Sequence, residues 1–149
     1  MTKKIVIWFL CLLILSIQSI NAEEKFLSLK KNKVNVRYQP TLDSPIKYIY
    51  KKINLPVKQI DEKENFRRVI DLKNNSGWIH RSQLKPSNSI IILENKILFK
   101  KPSNFSKPIS RLEKGRLLVI KKCQKNWCKI KTANYSGWIK TNNIWGSIR

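Results

Sequence analysis

Glycine and histidine are scarce in this sequence of 149 residues, which contains four glycines and a single histidine. So few glycines exclude a collagenous repeat and a glycine-rich phosphate loop, and one histidine argues against a metal centre built from histidines. Acidic residues are also few, with nine against 31 lysines and arginines and a net charge of +22. A basic chain this short has room for one or two small domains and not for a large catalytic architecture.

The N terminus has the layout of a secretory signal peptide over residues 1–22. Two lysines precede the stretch Ile5–Ile17, which is apolar at every position but one, and the segment ends at Ala22. Thirteen helical residues cover about 20 Å, less than the ~30 Å hydrocarbon core of a membrane, which favours a cleaved signal. Because Ile20 is bulky for its position before the cut, an uncleaved anchor stays open as the alternative. We expect a periplasmic or secreted protein.

The sequence contains one internal duplication. Ser76–Ile79 (Ser-Gly-Trp-Ile) recurs 60 residues later as Ser136–Ile139. Three further matches lie upstream at spacings of 61 to 63: Phe66–Val69 with Trp127–Ile130, Val57 with Val119, and Pro45-Ile46 with Pro108-Ile109. Two copies of one small domain explain this pattern, the first over residues 23–87 and the second over residues 88–149.

Each copy consists of short, β-branched runs separated by turn residues, and no window has helical spacing. The predicted strands of the first copy are Val34–Arg37, Leu55–Ile60, Phe66–Leu72 and Gly77–His80. Those of the second copy are Ile97–Phe99, Leu117–Lys122, Trp127–Thr132 and Gly137–Lys140. The run Ile90–Leu93 is expected to close the first sheet and to lead directly into the second copy. The fold class is therefore all-β.

The order of motifs in the first copy resembles that of the bacterial SH3-like (SH3b) domain. The motifs are Val34-Asn35-Val36-Arg37 with Pro40, then Phe66 and Val69, then Gly77-Trp78-Ile79 with Leu84. The second copy keeps the later motifs but has Leu98-Phe99-Lys100 in place of the Val-Arg signature. The whole chain is similar to exported tandem SH3-domain proteins of Gram-negative bacteria. This resemblance implies two tandem, partly open antiparallel barrels after the signal peptide.

The repeated Gly-Trp pairs are expected to be structural. Gly77 and Gly137 would let another backbone approach closely where the barrel bends. Trp78 and Trp138 would cover apolar surface that a thin core cannot bury otherwise.

Two of the three cysteines follow the signal segment, and both lie in the second copy. A hairpin centred on Lys125-Asn126 sets Cys123 directly opposite Cys128, at a distance that a disulfide can bridge. An export compartment would be oxidising. Two thiols with four residues between them do not supply the four ligands of structural zinc, and they do not form a Cys-x-x-Cys redox motif. The same register sets Lys121 opposite Ile130, which predicts a bulge.

The resemblance implies a groove able to hold a peptide or a peptidoglycan stem. Candidate ligand-binding residues near the predicted loops are Arg37, Tyr38, Phe66, His80 and Arg81 in the first copy, and Trp127 and Tyr135 in the second. Packing in the core is the competing role for each aromatic residue.

The positive charge is expected to favour anionic partners. The second half of the chain is the more basic, with +12 from residue 88 onwards against +8 for residues 23–87. Peptidoglycan or an envelope protein is the expected partner, an anionic membrane surface is an alternative, and export argues against nucleic acid. Lysine outnumbers arginine 24 to 7, so codon usage and a solvated surface explain the charge equally well. We expect a monomer.

The sequence predicts a binding or scaffolding protein and not an enzyme. His80 has no free thiol partner once the two cysteines are bonded. The acids Asp61, Glu62 and Glu64 cluster in one predicted turn, and no second carboxylate group faces them to form an acid/base pair. No cofactor and no metal are expected.

Overall fold

The computed structural model describes residues 23–148, and the predicted signal peptide over residues 1–22 lies outside the described residues. The described part is all-β, as the sequence predicts, with one short 3₁₀ turn, η1 (Arg81–Gln83). Within this part of the chain, no helix is long and apolar enough to cross a membrane.

The strands form two sheets that follow one another along the chain. The first sheet contains β1 (Phe26–Leu29), β2 (Val34–Arg37), β3 (Ile46–Tyr50), β4 (Pro56–Lys63), β5 (Phe66–Ile70), β6 (Ser76–His80) and β7 (Leu84–Pro86). The second contains β8 (Ser89–Ile92), β9 (Lys96–Phe99), β10 (Pro108–Leu112), β11 (Leu117–Gln124), β12 (Trp127–Lys131), β13 (Ser136–Lys140) and β14 (Ile144–Trp145).

The two sheets have the same topology. The strand order is β3-β2-β6-β5-β4-β1-β7 in the first sheet and β10-β9-β13-β12-β11-β8-β14 in the second. The second order is the first with seven added to every strand number, so equivalent strands occupy equivalent places. The paired strands are antiparallel, and each sheet remains open rather than closing into a barrel. The chain thus contains two copies of one fold in tandem, which confirms the duplication read from the sequence.

Each sheet places alternate residues into an apolar core of its own, as the period of two along a strand requires. The first core contains Leu29, Val34, Val36, Val57, Val69, Ile79 and Leu84. The second contains Ile90, Ile92, Leu98, Leu112, Leu118, Ile130 and Ile139. Residues between these positions lie on the outer face of each sheet.

The prediction that Ile90–Leu93 closes the first sheet is wrong. Ser89–Ile92 forms β8, which pairs with β11 and β14 of the second sheet. In the first sheet, β7 pairs with β1 instead. The physical reason is the core: Ile90 and Ile92 are fully buried in the second apolar cluster, where their burial contributes to the second domain.

The hairpin of β11 and β12 has the predicted register and contains the disulfide. Cys123 and Cys128 lie directly opposite each other, and their Cα atoms are 4.1 Å apart. The predicted bulge is also present, because the register shifts between Ile120 and Lys122. Lys121 lies in this irregularity, so Ile120 faces Ile130 and the lysine stays exposed.

The two domains are packed against each other. The Trp145 indole Nε1 donates a hydrogen bond to the Pro56 carbonyl oxygen at 3.2 Å, and its ring meets Phe26 edge to face at 5.1 Å. The hydroxyl oxygens of Ser28 and Ser89, both fully buried, are 2.7 Å apart. These contacts couple the first and the last strand of the second sheet, β8 and β14, to the first domain.

Candidate functional site

A row of three side chains crosses the outer face of the first sheet. Trp78 on β6 lies opposite Arg37 on β2 and opposite Arg68 on β5. Its neighbours Gly77 and Ile79 are buried on the inner side, so the tryptophan and both arginines share the outer face. The register therefore places one guanidinium group on each side of the indole.

The row is part of a groove of about 220 Å³, in which further contacts fix the cations. The Arg37 guanidinium donates to the Ser44 carbonyl oxygen at 2.6 Å. Lys47 donates to the Ser76 carbonyl oxygen at 2.9 Å, and its ammonium lies 5.6 Å from the Tyr38 ring centroid. The lining of the groove contains no acidic residue. The groove can therefore receive a carboxylate or phosphate beside two aromatic rings.

Gly77 brings β6 close to β2 and so sets the position of Trp78. A Cβ atom on Gly77 would clash with Val36 Cγ1 and would lie 3.0 Å from the Arg37 carbonyl oxygen. In the second domain, a Cβ atom on Gly137 would lie 2.6 Å from the Phe99 carbonyl oxygen. Both repeated glycines thus stand where another strand approaches too closely for any side chain.

The turn before β6 is organised by a buried carboxylate. Asp71 accepts hydrogen bonds from the backbone amides of Lys73 and Asn75 at 2.8 and 2.9 Å. The Tyr50 hydroxyl donates to the same carboxylate at 3.0 Å. Burial, together with the hydrogen bond to Tyr48, raises the pKa of Tyr50 above its usual range, so this hydroxyl remains a donor. These bonds hold the turn that delivers the strand of Trp78.

Arg68 has a second neighbour outside the groove. Asp61 on β4 lies directly opposite it, so the first-domain row ends on an acidic residue. The adjacent Arg67 pairs with Glu62, with 3.3 Å between Nε and the carboxylate oxygen. The first domain therefore compensates part of its own positive charge.

Three sequence-predicted residues form a separate cluster beyond the groove. Phe66 is buried and meets His80 edge to face at 5.2 Å. The His80 Nδ1 accepts from the Ser82 backbone amide at 3.3 Å and caps η1, in which Arg81 is the first residue. His80 thus stabilises the turn locally, and this cluster does not line the groove of Arg37 and Tyr38.

The two candidates of the second domain lie apart from each other. Trp127 meets Phe99 edge to face at 5.6 Å, and the Lys140 ammonium lies 5.8 Å from its ring centroid. Tyr135 is exposed in the turn between β12 and β13, where its amide donates to Thr132 Oγ1 at 3.0 Å. Neither lines the groove in the first domain.

The sequence did not single out Lys47 or Arg68 as groove residues. Arg68 could have been found from the sequence. It lies two residues after the candidate Phe66 in a predicted strand, and alternate residues of a strand share one face of the sheet. Lys47 lies on edge strand β3, whose existence the sequence pattern does not reveal.

A polar network organises the loop that follows β13. The buried Lys96 ammonium donates to Glu94 at 2.9 Å and to the Asn142 carbonyl oxygen at 2.6 Å. Hydrogen bonds from Asn143 and then from Lys96 hold the pKa of Glu94 below its usual range. The carboxylate is thereby occupied by its own neighbours.

No group of three or more histidine, cysteine or acidic side chains that could hold a metal ion occurs in the part of the chain that the structure describes. Both described cysteines are consumed by the disulfide.

Two solved structures to which this chain is similar are NlpC2 and NlpC1 from Trichomonas vaginalis. Both are 15% identical to this chain with a TM-score of 0.39, over 83% and 88% of its length. The matches cover 48% and 49% of those chains, so this chain spans about half the length of either. No curated protein matches it significantly.

The family comparison agrees with the topology. The bacterial SH3 domain family matches residues 30–86 and residues 94–146. The first match falls on the first sheet and the second on the second sheet, and together they cover more than half of the chain. The chain therefore belongs to the bacterial SH3 domain family and contains two tandem copies of the domain.

Proposed function

We propose that this protein is an exported, non-catalytic binding module of the cell envelope and that its ligand is peptidoglycan. The observation that carries the proposal is the row in which Arg37 and Arg68 flank Trp78 without an acidic residue in the groove. A guanidinium fork matches a carboxylate with two parallel hydrogen bonds. The stem peptides of peptidoglycan carry free carboxylates beside amides, so the groove would hold one such carboxylate.

An extracytoplasmic location suits both the bacterial SH3 domain family and the disulfide, which persists in oxidising compartments. The apolar N-terminal segment supports export. Mass spectrometry of protein recovered from the periplasm should find an N terminus at Glu23 and no free thiol. A cytoplasmic protein with two free thiols would contradict this part of the proposal.

Binding without catalysis is supported by the state of the reactive side chains. His80 is engaged in capping η1, and Cys123 and Cys128 are bonded to each other. No described thiol is therefore available to act with the histidine as a nucleophile.

Sedimentation with purified peptidoglycan tests the proposed ligand. At a salt concentration near 0.15 M, where exposed charges are screened beyond roughly 8 Å, the wild type should sediment with the sacculi. The double variant Arg37→Gln/Arg68→Gln should bind about tenfold more weakly, because it loses both guanidinium forks. The matched control is Lys122→Gln/Lys129→Gln in the second domain, which removes the same charge and should bind within about twofold of the wild type.

Two results would overturn the proposed ligand. One is the absence of wild-type sedimentation, which would leave an envelope protein as the partner to seek. The other is an equal loss in both double variants, which would show that net charge alone drives binding.

A further inference from the structure

The outer face of the second sheet carries four lysines, Lys122, Lys129, Lys131 and Lys140, which we call the lysine face. Lys122 lies opposite Lys129, and Lys129 lies opposite Trp138. Lys140 lies opposite Trp127. None of the ion pairs among the described residues involves these four lysines.

The register of Lys122 and Lys129 is unfavourable for the isolated domain. Like charges directly opposite each other in an antiparallel pair are destabilising. At the equivalent place in the first domain, Asp61 lies opposite Arg68, which is a favourable pair. The second domain thus keeps a repulsive pair at a site where its own duplicate has an attractive one. An external anion would remove this repulsion.

Two of the lysines are held above aromatic rings. The Lys122 ammonium lies 5.6 Å from the Trp138 ring centroid, and the Lys140 ammonium lies 5.8 Å from the Trp127 ring centroid. These contacts restrict the positions of the ammonium groups. They also cover the ring faces, which disfavours stacking of nucleic-acid bases on these tryptophans.

A structured loop beside the lysine face exposes a phenylalanine completely. Phe105, with a relative exposure of 101%, lies between β9 and β10. Its amide donates to Ser103 Oγ at 3.2 Å, and the Lys101 amide donates to Ser106 Oγ at 2.8 Å. The loop contains three lysines and no acidic residue: Lys100, Lys101 and Lys107. The same loop of the first domain has Asp43 at the place of Phe105, directly before the equivalent Ser44.

The loop and the lysine face form one continuous surface. Asn104, the neighbour of Phe105, lines a groove of about 620 Å³ together with Trp127, Lys140, Thr141 and Asn142. The groove offers side-chain amides, the Thr141 hydroxyl and the Lys140 ammonium group. Such groups suit a phosphate that carries further hydroxyl groups.

We propose that this surface docks on an anionic phospholipid membrane, with Phe105 entering the headgroup region and the lysine face binding lipid phosphates. Aromatic side chains are favoured at membrane interfaces, and basic residues near the surface are attracted by anionic lipids. A soluble polyanion would explain the lysines but would leave the fully exposed phenylalanine without a role. The proposal does not depend on the peptidoglycan ligand, which is assigned to the other domain.

Vesicle sedimentation of the full chain tests this proposal. The probes are vesicles of phosphatidylcholine alone and vesicles of phosphatidylcholine with an equal amount of phosphatidylglycerol. The apolar N-terminal segment is identical in every variant, so its contribution cancels when variants are compared on the same vesicles. The wild type should bind the phosphatidylglycerol vesicles at least tenfold more strongly.

Two variants address the two parts of the surface. Phe105→Ser should weaken binding to the anionic vesicles about tenfold, and Lys122→Gln/Lys129→Gln should do so by a similar factor. Leu42→Ser is the matched control for the first, since Leu42 is 67% exposed in the corresponding loop of the first domain. Arg37→Gln/Arg68→Gln is the charge-matched control for the second. Both controls should stay within about twofold of the wild type.

Three results would overturn the proposal: equal binding to both vesicle types, wild-type binding by Phe105→Ser, or equal losses in both charge variants. Competition by a single-stranded oligonucleotide that depends on the lysines but not on Phe105 would also overturn it. That outcome would identify a general polyanion surface instead. A circular dichroism spectrum of each variant shows whether it is folded.

Discussion

The central hairpins of the two domains have the same register but are closed by different chemistry. In the first domain, Glu62 pairs with Arg67 near the end of the β4–β5 hairpin. In the second domain, the equivalent positions carry Cys123 and Cys128, which form the disulfide. An exposed ion pair contributes little to stability, whereas a disulfide constrains the unfolded chain. The duplicated backbone therefore tolerates very different cross-links at one place.

The neighbouring pair shows what the stronger cross-link permits. One step along the hairpin, Asp61 faces Arg68 in the first domain, and Lys122 faces Lys129 in the second. Attraction helps to align the first hairpin, while the second aligns its strands against repulsion. The covalent bond thus allows the second domain to concentrate positive charge that the first domain compensates.

The largest effect is expected where the two domains agree, at the repeated glycines. Gly137→Ala should lower the free energy of unfolding by about 3 kcal/mol, because the new Cβ would meet the Phe99 carbonyl oxygen and the backbone must shift. Gly77→Ala should cost about 2 kcal/mol, since the Val36 side chain can yield in part. Urea denaturation measures both.

Gly115→Ala is the control for these variants, because no atom lies within 4 Å of its new Cβ and only its positive φ of 86° opposes the change. Its cost should be about 1 kcal/mol. A larger loss of unfolding free energy for Gly115→Ala than for Gly137→Ala would contradict the close approach of β9 and β13.

A smaller effect should distinguish the two hairpin closures. Replacing both bonded cysteines with Cys123→Ala/Cys128→Ala should lower stability by about 2 kcal/mol, because the small ring constrains little chain. Glu62→Gln, which removes the corresponding ion pair, should cost less than about 1 kcal/mol. Urea denaturation monitored by tryptophan fluorescence provides both values. Equal losses would show that the two closures are equivalent.

An effect smaller than that of the disulfide is expected to distinguish the two domains by the pH dependence of their stability. Burial raises the pKa of Tyr50, whereas the equivalent residue of the second domain is Leu112. The pKa of Tyr50 is higher in the folded chain than the value of about 10 in the unfolded chain. The protonated Tyr50 hydroxyl therefore stabilises the fold fully below pH 10, and this stabilisation is lost as the pH rises further. Tyr50→Phe should lower the free energy of unfolding by about 1 kcal/mol at pH 7. Above pH 10 the variant should lose less stability than the wild type does.

Unfolding curves between pH 7 and pH 11 measure this difference. The exposed Tyr38→Phe is the control and should follow the wild type throughout. Parallel curves for Tyr50→Phe and the wild type would show that the hydrogen bond to Asp71 does not control alkaline stability.

The sequence predicts the interior strands of each domain better than the edges. Val34–Arg37 and the hairpin around Lys125-Asn126 follow directly from β-branched alternation and turn residues. Edge strands β3 and β10 were not predicted, because they expose residues on both sides and their apolar pattern is weak. Their pairing is decided by the neighbouring strands.

The spacing of the repeat has a structural explanation. It falls from 61 residues at Phe66 and Trp127 to 60 at the Gly-Trp-Ile motifs. The turn before β6 has five residues, held by Asp71, and the turn before β13 has four. A single residue lost in a turn changes the spacing without changing the register of the strands.

The structure separates the site residues that the sequence predicts for the first domain. Arg37 and Tyr38 lie in the first-domain groove, whereas Phe66, His80 and Arg81 form a separate cluster. Sequence proximity to loops does not show which strand lies beside which. Since β2 pairs with β6 across about 40 residues of chain, the meeting of arginine and tryptophan depends on the sheet order.

By itself, the sequence determined the duplication, the all-β class and the disulfide, because these depend on local alternation, turn residues and the short distance across one hairpin. Only the tertiary structure decided that two arginines flank Trp78 in the first domain. It also decided that Ser89–Ile92 belongs to the second sheet. These features arise from long-range strand pairing, in which a strand joins the sheet where its apolar side chains are buried.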